Sequence, residues 1–173
     1  MNAKRRAILF SLALCLLASA TFSPTISANT SANTSANTGP YDEAADAQAQ
    51  IAQALADAVK TQQPLLLVFG ANWCGDCKVL DSSFKEGRVA ALMNSRFKVL
   101  KINVGRFDRN VDIAERYRVP LKKGIPAVAL LTPSGQLLYN TAAGELADAR
   151  RMGEPGIHAF FTQLAAQHSG KKP

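Results

Sequence analysis

The stretch from Pro64 to Lys78 constrains what this 173-residue chain can fold into more than any other. Leu65-Leu66-Leu67-Val68-Phe69 is a short continuous apolar run, the length of a strand buried on both faces. Gly70-Ala71-Asn72-Trp73 follows, and helical spacing begins at Cys74, continuing through Cys77, Leu80 and Phe84. Two sulfurs three residues apart at a helix start lie one turn apart on one face. The first N–H groups of a helix lack intrahelical partners and the dipole favours negative charge there. A thiolate on Cys74 gains from that field, which moves its pKa toward neutrality. Cys74 therefore reads as the exposed attacking sulfur, and Cys77, tucked further in, as the resolving one.

Two other uses of the pair compete with this reading. A static staple gains little from a four-residue loop, about 2 kcal/mol of chain entropy. A metal site lacks donors: two thiolates without a nearby His or third Cys fall short of a closed zinc set, although Cu(I) accepts two. No Gly-rich phosphate loop, Ser/His/Asp set or paired-carboxylate site stands out, so no cofactor and no metal are expected. His158 and His168, far from the cysteines in sequence, read as surface or helix-packing residues.

The N-terminus has the pattern of an export signal. Lys4, Arg5 and Arg6 precede an apolar run from Ala7 to Ala18, too short for a membrane span of roughly 20 residues. The expected signal covers residues 1–20, with Ala18-Ser19-Ala20 as cleavage site and cleavage as late as Ala28 as the second choice; an uncleaved signal acting as a membrane anchor, the one membrane contact expected, is the minority alternative. Loss of three basic residues lowers the formal charge from +7 to +4, and loss of Cys15 leaves Cys74 and Cys77 as the cysteines of the mature chain. Scattered charges with few aromatics among them call for no nucleic acid partner. Residues 21–40 contain Ser-Ala-Asn-Thr three times over, which lacks the large apolar groups needed to offset ordering entropy; it reads as a disordered linker. A folded domain is expected over 41–168, with 169–173 as a tail.

Within that domain a first helix is expected over 41–61, carrying Ala44, Ala47, Ile51, Leu55 and Val59 inward and Asp42, Glu43 and Asp46 in its first turn. After the cysteine helix, Gly87 breaks the pattern and Val89 to Ser95 forms a second helical piece. Phe97 to Val104 reads as a strand, Asn110 to Arg118 as a short helix and Ala127 to Leu131 as a strand. Thr132-Pro133-Ser134-Gly135 turns the chain into a hairpin partner over 136–140. Ile157 to Gln167 is the last helix, anchored by Phe160, Phe161 and Leu164, with Pro155 near its start. Alternating strands and helices ending in a hairpin give an α/β fold, a mixed central sheet with helices on both faces.

Trp73-Cys74-Gly75-Asp76-Cys77-Lys78 resembles the active-site motif of the thioredoxin superfamily. Gly124-Ile125-Pro126, directly before an apolar strand, resembles that family's cis-proline loop. The similarity runs from about residue 41 to 168 in element order. The extra short helix after the cysteine helix resembles exported thioredoxin-like domains, such as the C-terminal domain of the bacterial transmembrane disulfide reductase. The resemblance implies a three-layer thioredoxin-like fold and a thiol–disulfide oxidoreductase acting through Cys74 and Cys77. It further implies a cis Pro126 facing the sulfurs, Ile125 offering backbone hydrogen bonds to a bound chain, and Trp73 as part of the docking surface. Its partners would be disulfide-containing protein substrates and a membrane electron donor, its compartment the bacterial periplasm. Reduction is the expected direction. Oxidase or isomerase action, or a Cu(I)-binding or adaptor module without catalysis, are the alternatives.

This chain departs from the family pattern at two positions. Val68 stands where thioredoxins place a buried acid that helps deprotonate the resolving cysteine, whereas Lys101 matches that acid's usual lysine neighbour. Asp76 replaces the frequent proline between the cysteines; its charge opposes a thiolate, raises the thiol pKa and makes the dithiol a stronger reductant. Lys122 and Lys123, in an apparent insertion before the cis-proline loop, are candidates to offset Asp76 or to attract acidic partners. A second insertion, 145–153, has no role readable from sequence.

Overall fold

A computed structural model describes residues 39–168; the expected signal, the repeat and the tail 169–173 lie outside the described residues. Four strands, β1 (Leu65–Gly70), β2 (Lys98–Asn103), β3 (Ala127–Leu131) and β4 (Leu137–Asn140), form one sheet in the order β2-β1-β3-β4. β1 runs parallel to β2 and antiparallel to β3, and β4 returns antiparallel on β3. Every residue of β1 and β3 is buried, as continuous apolar strands require when both faces are covered.

Side-chain alternation assigns the layers. Leu65, Leu67 and Phe69 join Ala127, Ala129, Leu131 and Ile102 on one face, covered by α1 (Ala47–Thr61) and α4 (Val111–Arg116). Leu66, Val68, Val128 and Leu130 occupy the other, beneath α2 (Gly75–Ser83), α3 (Gly87–Arg96) and α5 (Ala149–His168). Each fully buried Leu or Phe contributes roughly 1.5–3 kcal/mol, so the two clusters hold the sheet from both sides. The mixed sheet with helices on both faces is the architecture expected from the sequence.

The first helix is shorter than its periodicity suggests. It begins at Ala47 rather than Tyr41, because the Asp46 carboxylate caps it by accepting the Ala49 N–H at 3.0 Å. Asp42 accepts the Ala44 N–H at 2.9 Å, a local turn that competes with helix. The buried stripe is Ala47, Ile51, Ala54 and Ala58; Ala44 and Val59 face solvent. Freed from the helix, Tyr41 is fixed to the loop before the cysteines. Its N–H donates to Asn72 Oδ1 at 2.9 Å and its carbonyl accepts Asn72 Nδ2 at 2.8 Å.

The end of the chain also differs from the expected pattern. Helix begins at Ala149, breaks at Gly153 with φ 61° and ψ 179°, and resumes so that Pro155 lies in the first turn of the second segment. α4 stops at Arg116, two residues before the expected end, and Tyr117 follows it still buried.

Gly70 closes β1 where a side chain has no room. A Cβ there would overlap the buried Tyr41 hydroxyl and stand 3.0 Å from Cys77 Sγ. Gly70→Ala is expected to lose about 1–3 kcal/mol by overpacking, read as a lower urea midpoint at unchanged slope; an unchanged midpoint would show that Tyr41 yields freely.

Candidate active site

The apolar strand β1 ends at Gly70 and the chain turns through Ala71-Asn72-Trp73 into α2, so the helix start faces the end of the sheet. Cys74 is the N-cap of α2, with φ −78° and ψ 117°, and its Sγ accepts the Cys77 N–H at 3.1 Å. An apolar-to-polar junction thus becomes a sulfur held against an otherwise unpartnered helix donor. Cys74 and Cys77 form a disulfide with their Cα atoms 5.2 Å apart.

Cys74 is the more accessible of the two, but it is not the exposed sulfur the sequence suggests: Cys74 is 5 % exposed and Cys77 0 %. The cis-proline loop covers it. The Ile125–Pro126 peptide bond is cis, and the Ile125 carbonyl oxygen lies 3.5 Å from Cys74 Sγ. Trp73 stands on the open side, 50 % exposed, its indole N–H donating to the Gly105 carbonyl at 2.7 Å. Trp73, Ile125 and Pro126 are therefore all gathered at the sulfurs, although they lie on two separate loops.

Asp76 is buried and paired. Its Oδ1 accepts the Arg150 backbone N–H at 2.9 Å, and its Oδ2 meets the Arg150 guanidinium at 3.0 Å. Burial alone would raise this carboxyl, but the Arg150 hydrogen bonds and charge outweigh it and hold the pKa below the usual range. The cation that balances Asp76 is thus Arg150, not Lys122 or Lys123. Those two lysines are exposed on a single 3-10 turn, Leu121–Lys123. The segment 145–153 now has a function in the fold: Leu146 and Ala149 anchor it in the core and Arg150 reaches back to α2. With its charge offset, Asp76 no longer argues for an unusually strong reductant.

Val68 and Lys101 are register partners in the parallel β1–β2 pair, so both point to the face under α2. There the Lys101 ammonium meets Asp81, a buried carboxylate one turn after Cys77, which Lys85 also approaches at 2.6 Å. Burial opposes ionisation of Asp81, yet the two lysines prevail and its pKa is lowered. Position 68 thus carries no acid, and the carboxylate that meets Lys101 comes from α2. The Tyr41 hydroxyl and Cys77 Sγ both border the space a side chain at Gly70 would take, and burial together with the Asp81 charge drives that phenol well above its ordinary range, keeping it protonated. Sequence reading missed Asp81, Arg150 and Tyr41. Asp81 alone carried a signal, its i+4 spacing from Cys77.

A mixed four-stranded sheet presenting a Cys-x-x-Cys pair at a helix N-terminus opposite a cis-proline loop defines a disulfide-exchange protein of thioredoxin fold. The chain belongs to the thioredoxin-like family, whose model, described as "Thioredoxin-like", matches residues 46–133. It is 39% identical over 93 residues to Thioredoxin 1 of Chlorobaculum tepidum, covering 53% of this chain and 83% of that protein. A thioredoxin of Acidithiobacillus ferridurans is 33% identical over 94 residues, 54% of this chain and 78% of the relative. Among solved structures, a disulphide isomerase from Xylella fastidiosa superposes with a TM-score of 0.71 at 48% identity, covering 73% of this chain and 96% of that one. The protein is a thioredoxin-like thiol–disulfide oxidoreductase, with Cys74 and Cys77 as its disulfide pair.

Two outcomes follow from the charge arrangement. Arg150→Gln uncovers the Asp76 charge beside a Cys74 thiolate, which disfavours the reduced form. Equilibration with glutathione is expected to give a potential more negative by about 15–30 mV, or roughly 0.7–1.4 kcal/mol; a shift to more positive values would contradict the pairing. Asp76 and Asp81 both titrate below the unfolded carboxylate value of about 3.9. Their contribution to stability is complete above that value and is lost as pH falls through the lower folded values. Asp81→Asn is expected to lose about 1–3 kcal/mol at pH 7 by stranding Lys101 and to flatten the acid limb of stability below about pH 4. An acid limb as steep as that of the unaltered protein would contradict it.

Proposed function

We propose that the protein is an exported, periplasmic dithiol that reduces disulfides in other proteins. The observation that carries this reading is the Cys77 N–H on Cys74 Sγ at the helix N-terminus, because the same donor stabilises a Cys74 thiolate once the pair is reduced. That thiolate attacks one sulfur of a substrate disulfide, forming a mixed disulfide and releasing the other substrate sulfur as a thiolate that takes up a proton. Cys77, deprotonated, then attacks Cys74, closing the disulfide and releasing the second substrate thiol. Two electrons and two protons pass to the substrate. Ile125 and Pro126 border the sulfur that forms the mixed disulfide, which suits them to align an extended substrate chain by backbone hydrogen bonds. Resetting the pair requires a dithiol donor, for which a membrane electron donor is the proposal; export rests on the basic and apolar N-terminus.

Isomerisation is the second reading. It is favoured by the 48% identity to a structure named a disulphide isomerase and by the Arg150 charge that offsets Asp76. A reduction potential near or above about −180 mV would favour it over net reduction.

Cys77→Ser is the direct experiment, since it stalls the first step with substrate bound through Cys74. A periplasmic extract is expected to yield disulfide-linked partners released by reductant. Recovery of none, together with stoichiometric copper on the purified protein, would instead support a Cu(I)-binding or adaptor module.

A further inference from the structure

Cys77 is fully buried, and the resolving step requires it to lose a proton and carry negative charge there. A thiolate shut away from water is disfavoured unless a donor meets it. Its own N–H does not serve, because that group lies on Cys74 Sγ and so favours the attacking sulfur. The charged groups around it are engaged with one another: Asp81 with Lys101 and Lys85, and Asp76 with Arg150. β1, β3, α1 and α4 bring apolar side chains to this cluster.

Tyr41 stands at the same place, within that apolar cluster. Its hydroxyl lies 2.2 Å from the position a Cβ on Gly70 would take, and Cys77 Sγ lies 3.0 Å from that position. Hydroxyl and sulfur thus flank one spot at the end of β1, and the glycine keeps it clear. The segment that carries the phenol has no regular structure of its own, yet it is fastened at several points. Both backbone groups of Tyr41 bond the Asn72 side chain, on the loop that leads into the cysteines. Asn72 Nδ2 also reaches Glu43 Oε1 at 2.8 Å, and Arg109 donates to the Glu43 carbonyl at 2.8 Å. Held protonated by burial and the Asp81 charge, the phenol is able to donate a hydrogen bond and is unsuited to act as a base.

We propose that the Tyr41 hydroxyl is the hydrogen-bond donor of the resolving step: once the pair is reduced it donates to the Cys77 sulfur and stabilises the thiolate that attacks Cys74. In that step the Cys77 proton passes to solvent. The Cys77–Cys74 bond forms as the bond from Cys74 to the substrate sulfur breaks, and that sulfur leaves with the electron pair. The phenol keeps its proton throughout. The two sulfurs then have separate donors, a helix N–H for Cys74 and a phenol for Cys77. This deepens the exchange reaction proposed above and rests on the roles given there to the two cysteines.

The test follows the reduced protein with one equivalent of dithiobis(nitrobenzoate) by stopped flow. Attack by Cys74 releases the first thionitrobenzoate, and closure by Cys77 releases the second. Tyr41→Phe keeps the ring and removes only the hydroxyl. It is expected to slow the second release at least threefold at neutral pH, with the first release within twofold as the control for an intact fold. Loss of the donor raises the Cys77 pKa, so the deficit is expected to vanish as pH rises above that value and the thiolate forms without help. An unchanged second release, equal slowing of both releases, or a deficit that is the same at every pH would overturn the role of Tyr41. Release of a single equivalent by the unaltered protein would instead overturn the roles of the two cysteines, and that of Tyr41 with them.

Discussion

The hydrogen bond from the Cys77 N–H to Cys74 Sγ is the interaction on which the remaining structure converges. A helix start must place its unpartnered donors somewhere, and here a sulfur takes one of them. That requires α2 to begin at Gly75, at the end of a strand rigid enough to aim it. β1 has that rigidity because it is apolar on both faces and paired on both edges. The lack of a side chain at Gly70 then lets Cys77 and the Tyr41 hydroxyl approach the strand end together.

Around this centre the charges are arranged in two separate pairs. Asp76, which follows the first cysteine by two residues, is answered by Arg150 from a segment more than seventy residues away. Asp81, one turn below Cys77, is answered by Lys101 from β2 and by Lys85. Each carboxylate is buried, so each would favour its neutral form without its partner. Both remain ionised, and the field at the sulfurs is the sum of paired charges rather than of a lone acid.

The sheet and the identity of its helices were legible in the sequence because their signals are local. Apolar runs at 65–69 and 127–131, the turn at 132–135 and the spacing after Cys74 all arise within one element. The cysteines and the Gly-Ile-Pro loop were legible as motifs. What escaped was long-range. The polar contacts of Tyr41 with Asn72 and of Arg150 with Asp76 join residues that no periodicity connects. The helix expected from Tyr41 failed because two aspartates, 42 and 46, hold the backbone in turn and cap geometry that a count of apolar spacing does not register. Cys74 was expected to be exposed because nothing in its own neighbourhood reveals that Ile125, fifty-one residues on, packs over it.

The central claim is that Cys74 is held as a stabilised thiolate when the pair is reduced. The direct measurement is the pH dependence of its alkylation by iodoacetamide, followed in the reduced Cys77→Ser protein with thiolate absorbance as a second readout. The account predicts a Cys74 pKa below the ordinary thiol value of about 8.5, and hence faster alkylation at neutral pH than an ordinary thiol shows. A value at or above 8.5 would show that the helix donor gives no net stabilisation, and would contradict it.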